Sequence, residues 1–143
     1  MKFIVDRLLL VRMLKAVRKR APLRGRPQKM LKVSAVDCRV FVEANGKIAG
    51  TEALVLVEGS CGLVHATLLR LLRSFARGRT NILFETDPGL FRIDEGNWPL
   101  AEFSDDACLP QKFMDFPMTG GSLIPGKASA LARRGSSNQG SEP

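Results

Sequence analysis

A chain of 143 residues is one domain's worth, and 45% apolar with 25% charged residues is globular composition, which argues against wholesale disorder and against a multidomain enzyme. The net charge of +8 is unevenly placed: residues 1–29 hold ten Lys/Arg against Asp6, net +9, so the other 114 residues sum to −1. Residues 65–79 hold four arginines and no acid, whereas residues 80–118 hold eight acids against Arg92 and Lys112. Such segregation suits a protein with one face for a polyanion. The charges of Lys2, Asp6 and Arg7 fall where a signal peptide needs its apolar run, and no apolar stretch approaches the roughly 20 residues of a membrane span. The expectation is a soluble, cytoplasmic protein with no membrane contact.

In chain order, Phe3-Ile4-Val5 reads as a short strand and Asp6 as the N-cap of a helix over residues 7–20. At 100° per residue, Leu10, Met13, Leu14 and Val17 share one helix face, and Arg12, Lys15 and Lys19 share the opposite one. Pro22, Gly25 and Pro27 then break the chain into a loop carrying Arg24 and Arg26. Strands are predicted over 30–35 and 40–44 around a turn at Asp37-Cys38-Arg39, followed by a hairpin turn at Asn45-Gly46. A strand over 53–57 follows, closed by Glu58-Gly59-Ser60, and residues 61–64 lead into a second helix, 65–77. That helix has Leu68, Leu71, Leu72 and Phe75 on its apolar face and Arg70, Arg73 and Arg77 at i, i+3 and i+7. Thus the same stripe recurs 58 residues later. Further strands are expected over 81–85 and 90–93 across Asp87-Pro88-Gly89, over 98–103 after Glu95-Gly96-Asn97, and as an edge over 113–118. A strand, a helix and then strands occur twice, which predicts an internal duplication of roughly 60 residues. From Thr119 on, Gly, Ser, Pro and basic residues replace the apolar pattern, so the division expected is a domain over 1–118 and a disordered tail over 119–143.

The odd cysteines Cys38, Cys61 and Cys108, 23 and 47 residues apart, fit neither paired metal spacing nor a disulfide framework; buried free thiols are the expectation. His65 lies four residues after Cys61, but no third group orients the pair for cysteine catalysis. With no acid, base and nucleophile cluster, the reading is a protein that is not an enzyme and takes no cofactor or metal. Outward Lys and Arg stripes gain affinity for phosphates by counterion release, without regard to sequence. Base reading would call for Asn, Gln or Arg in a docking geometry that strands between the helices do not provide, and the outward faces offer no Asn or Gln. Base stacking is poorly served, because Tyr is absent and Phe41, Phe84 and Phe91 lie in apolar strand patterns. A lone basic stripe is more often a solvated helix face. A repeated stripe beside a basic loop, with acids placed elsewhere, favours contact with the duplex backbone.

Several segments resemble, in order, the first domain of the bacterial DNA polymerase III beta subunit, the sliding clamp. They are Met1-Lys2-Phe3-Ile4-Val5-Asp6-Arg7 with Leu8, Leu14 and Val17, then Pro22-Leu23-Arg24-Gly25-Arg26-Pro27, and then the turn at Asp37. The strand Gly59–Val64 running into Leu68-Leu69-Arg70-Leu71-Leu72 follows, then residues 90–93 and finally Asp115-Phe116-Pro117. The resemblance covers residues 1–118, and the order of these short motifs carries it. It implies an α+β, DNA clamp-like fold of two strand-helix-three-strand repeats, with both helices on one face of antiparallel sheet. It implies non-specific contact with duplex DNA in replication or polymerase processivity, as a homo-oligomer paired through edge strands, with polymerase, clamp loader or a full-length clamp as partners. By position, Arg12, Lys15, Lys19, Arg70, Arg73 and Arg77 would be the inward helix residues, with Arg24 and Arg26 in the adjoining loop. Departures are the single domain where bacterial clamps have three, a shortened stretch before Val33, Cys38 in place of a turn glycine, and extra residues between Phe103 and Phe116. The alternatives are a clamp-fold module that binds or modulates a clamp or another protein without encircling DNA, and an RNA-binding domain.

Overall fold

β1 (Lys2–Asp6) alternates half-buried and buried side chains, and its end is set by Asp6, whose Oδ1 accepts the Leu9 N–H at 3.0 Å and caps α1 (Arg7–Val17). In the computed structural model, which describes residues 1–18, 30–74 and 78–118, α1 buries the four predicted residues Leu10, Met13, Leu14 and Val17 together with Leu9 and Val11. Each such side chain contributes roughly 1.5–3 kcal/mol on burial, so tertiary packing rather than propensity holds this three-turn helix. Asn45 Nδ2 closes its far end by donating to the Val17 carbonyl at 2.9 Å.

β2 (Met30–Val36) and β3 (Arg39–Ala44) form a hairpin about Asp37 and Cys38, both at positive φ (55° and 59°). Asn45 and Gly46, at 56° and 76°, turn β3 into β4 (Lys47–Glu52), as the predicted Asn-Gly turn requires. After Ala53 the chain continues as β5 (Leu54–Val57), β6 (Gly59–Val64) and α2 (His65–Arg73). β7 (Asn81–Asp87), β8 (Leu90–Ile93), β9 (Gly96–Pro99), β10 (Glu102–Ser104) and β11 (Met114–Asp115) complete it.

The strands make two sheets, ordered β5-β1-β7-β8-β9 and β10-β6-β2-β3-β4-β11. Replacing β1, α1, β2, β3, β4 and β5 by β6, α2, β7, β8, β9 and β10, and the reverse, converts the first order into the second, apart from the added β11. The predicted duplication is therefore a pseudo-two-fold, in which each sheet takes strands from both repeats. The last strand of each repeat changes sheet midway: β4 and β5 are separated by Ala53, and β9 and β10 by Leu100 and Ala101. The core lies between these sheets and the helices. In the first sheet it includes a row of stacked rings, Phe3–Phe84 at 5.0 Å, Phe84–Phe91 at 5.4 Å and Phe91–Trp98 at 5.8 Å.

The sheet crossings account for most departures from expectation. The strand β4 is not legible in Lys47-Ile48-Ala49-Gly50-Thr51-Glu52, whose Ala and Gly have low strand propensity. The strand expected over 98–103 is two strands in different sheets. Gly59 is not a turn residue: it begins β6, where an added Cβ would lie 2.9 Å from the Ser104 carbonyl oxygen and 3.2 Å from Met1 Cβ. The turn after β8 bends at Asp94 (φ 54°), with Gly96 and Asn97 already in β9. The edge expected over 113–118 is only Met114–Asp115, parallel to β4. Of the three thiols, Cys61 alone is buried, because Cys38 occupies an exposed turn and Cys108 an exposed connection. The tail 119–143 lies outside the described residues.

Candidate nucleic-acid interface

An offset of 58 residues superposes the two helices position by position. Leu10, Met13 and Leu14 correspond to Leu68, Leu71 and Leu72, all buried. Outward, Leu8, Arg12 and Lys15 correspond to Ala66, Arg70 and Arg73, all exposed. The exposed stripe runs i, i+4, i+7 on each helix, as an amphipathic helix with its other face in the core requires. Arg18, exposed at the end of α1, adds a cation the periodicity does not single out. Lys19, Arg24, Arg26 and Arg77 lie outside the described residues.

The first residues of the two helices correspond too, Arg7 with His65. The Arg7 guanidinium donates to the Leu72 carbonyl at 3.1 Å and to the Arg79 carbonyl at 2.9 Å. The buried His65 bonds through Nε2 to the Leu14 carbonyl at 2.7 Å, which requires the proton on Nε2. Leu14 and Leu72 are themselves 58 apart, so the bonds are reciprocal: each helix start reaches the carbonyl of the equivalent residue near the other helix's end. The helices therefore run antiparallel, and the axis exchanging them stands perpendicular to the plane they share. Both basic stripes consequently face the same side. Alignment of the repeats places Arg7 opposite His65 in sequence, a signal that periodicity alone passes over.

Charge pairing divides the cations. Among the described residues, Lys2 pairs with Glu85 at 3.7 Å, Arg39 with Asp115 at 3.2 Å, Arg79 with Asp94 at 3.7 Å, and Arg92 with Asp87 at 2.7 Å and Glu85 at 3.6 Å. The hydrogen bond from Arg92 to Asp87, with the two nearby carboxylates, raises the guanidinium's pKa further. Arg12, Lys15, Arg70 and Arg73 make no ion pair among the described residues, as is also true of Arg18, Lys32, Lys47 and Lys112, so the charge of the two helix stripes is not neutralised there. Their faces carry no Asn or Gln, and Phe41, Phe84 and Phe91 are buried, so this surface offers no side-chain amide for reading base edges and none of these rings for stacking.

Elsewhere, a cavity of about 350 Å³ on the second sheet is lined by Lys32, Glu43, Cys61, Gly62 and Glu102 among others. Burial pushes the Cys61 thiol up to about 12, so it is no nucleophile at neutral pH, and the imidazole of His65 is engaged by Leu14. No group of three metal-ligating side chains occurs among the described residues, and no helix there is long and apolar enough to cross a membrane.

No family model matches the sequence, and no curated protein does. Solved structures do. The Helicobacter pylori beta clamp bound to a DNA ligase peptide matches with a TM-score of 0.59 at 15% identity, over 83% of this chain and 33% of that one. Caulobacter crescentus pol III beta matches at 0.55 and 15%, over 78% and 33%, and the Streptococcus pyogenes polymerase beta subunit at 0.55 and 15%, over 71% and 30%. The fold is that of a sliding-clamp domain. This clamp-like chain spans about a third of the length of those structures, and the α+β class and duplicated architecture expected from its sequence are the ones observed.

Proposed function

We propose that the domain over residues 1–118 binds duplex DNA without sequence preference through α1 and α2, that it serves replication or polymerase processivity, and that it is not an enzyme. The observation that carries this reading is the matched pair of stripes: Arg12 and Lys15 on α1 and Arg70 and Arg73 on α2 are exposed, make no ion pair among the described residues and face the same side. Lys2, Arg39, Arg79 and Arg92 pair with Glu85, Asp87, Asp94 and Asp115, and the exposed Lys32, Lys47 and Lys112, which also lack an ion pair, have no basic counterpart 58 residues away. Lys19, Arg24, Arg26 and Arg77 are assigned to the same DNA contact from their places in the sequence. The test is duplex binding followed by fluorescence anisotropy at rising salt. Affinity should fall steeply with salt and be equal for unrelated sequences; a salt-insensitive or absent interaction overturns the reading. Reversing charge at Arg12, Lys15, Arg70 and Arg73 should abolish binding with little change in melting temperature, since exposed unpaired side chains contribute little to the fold.

Self-association through edge strands belongs to this reading. One edge has the chemistry for protein contact: β5, at the border of the first sheet, leaves Leu56 and Val57 51% and 52% exposed. The same edge favours a second reading, a clamp-fold module that joins another protein instead of its own copies. Light scattering alone and with a full bacterial clamp separates the two: self-assembly supports the first, and a monomer that joins clamp protomers supports the second.

A further inference from the structure

We infer that this single domain is a two-fold-symmetric duplex reader, with Arg12 and Lys15 of α1 on one strand's phosphates and Arg70 and Arg73 of α2 on the other's. The inference rests on the duplex-binding reading above and adds how the four cations divide between strands. The two backbones of a duplex are antiparallel and exchange about two-fold axes perpendicular to its length, which is why two-fold proteins and their DNA sites share an axis. The helix pair has an axis of the same kind. The bonds Arg7 to Leu72 and His65 to Leu14 set residue 7 level with 72 and residue 14 level with 65. Arg12 is then level with residue 67 and Arg70 with residue 9, an offset of roughly 4.5 Å along the helices at 1.5 Å per residue. Lys15 and Arg73 are offset by roughly 13.5 Å by the same arithmetic. Across the pair, packed helices are separated by about 8–10 Å, and each long side chain reaches further outward. Two cations thus stand on either side of one axis, Arg12 with Arg70 inside and Lys15 with Arg73 outside. The axis passing between the helices sends one helix's cations to one backbone and their equivalents to the other.

The competing geometry puts all four on a single backbone, as a diagonal track. Binding of the full chain to a 20-base-pair duplex, to the same duplex with methylphosphonate linkages neutralising one strand, and to the single strand distinguishes them. The variants are R12A/K15A and R70A/R73A, with circular dichroism as the folding control. Each double variant should lower the slope of log K against log salt by about 1.8, since every phosphate left without its cation takes away about 0.9. Neutralising either strand should remove about half of the slope that these four cations supply. An unchanged slope on the half-neutral duplex, or a reduction confined to one helix's variant, overturns the two-strand division while duplex binding itself stands. Absence of duplex binding by the unaltered protein overturns both.

Discussion

Burial at a single atom sets the chemistry of Cys61. Its thiol lies in β6 against the core, and loss of solvation lifts its pKa from 9.0 to about 12. The folded state therefore keeps a proton that the unfolded chain loses above pH 9. Stability linked to this group is intact below pH 9 and falls between about pH 9 and 12, by roughly 1.4 kcal/mol per pH unit at most. Cys61→Ala should flatten the fall in urea-derived stability across that window, relative to the unaltered protein. Alkylation at pH 8 should modify Cys38 and Cys108 promptly and Cys61 only on unfolding, as peptide mass spectrometry of the modified chain would report. The expectation of three buried thiols fails at Cys38 and Cys108 because a cysteine's average preference for the interior says nothing of a turn. At Cys38 the backbone adopts φ 59°, a conformation set by the hairpin rather than by the side chain.

At the scale of elements, the two helices show what is legible in sequence and what is not. The apolar spacing of Leu10, Met13, Leu14, Leu68, Leu71 and Leu72 locates both helices and their buried faces, because a 3.6-residue period leaves one solution for a helix with a single packed side. The outward stripes follow as the complement. The strands are harder, since β4 is poorly patterned and β10 is only three residues long, and they pair with β3 and β6. Nor does local sequence announce a sheet crossing at Ala53 or at Leu100 and Ala101. The helix cap is legible, and it is unequal between the repeats: Asp6 caps α1, whereas Val64, 58 residues on, offers α2 no side-chain cap. Asp6→Ala should therefore cost about 1 kcal/mol, within the usual 0.5–2 for an N-cap, seen as a lower urea midpoint at unchanged m-value. His65→Ala should cost more, about 1–3 kcal/mol, because it leaves the buried Leu14 carbonyl without its cross-helix donor. An equal or smaller loss than at Asp6 would argue that the reciprocal bonds do not hold the helix pair.

Among the described residues the strand order departs from the pseudo-two-fold at one place, and the break bears on assembly. β9 ends the first sheet, while its counterpart β4 is covered by β11 of the same chain. That cover is held by Phe113, which packs edge-on against Phe41 at 4.9 Å, by Arg39, which bonds Asp115 at 3.2 Å, and by Thr51 Oγ1, which donates to the Phe116 carbonyl. Gly50 makes room for it, since an added Cβ would lie 2.6 Å from the Phe41 ring and 3.1 Å from Phe113. The edge of β4 is thus taken, and apart from β11 itself, only two residues long, β5, β9 and β10 are the described strands with one neighbour each. Of these, β9 carries Pro99, which lacks a donor, and β10 carries the exposed charge of Glu102, features that discourage pairing. β5 has neither, and its Leu56 and Val57 are about half exposed. Association through an edge should accordingly be lost on Leu56→Lys with Val57→Lys, which place charge on the edge without disturbing buried groups. Light scattering should then report a monomer at every concentration tested, while circular dichroism and the salt-dependent affinity of a single domain for short duplex stay as before. An oligomer that survives both lysines would move the contact to β9 or β10, and a chain that is monomeric without them would leave the helix face to act on DNA one domain at a time.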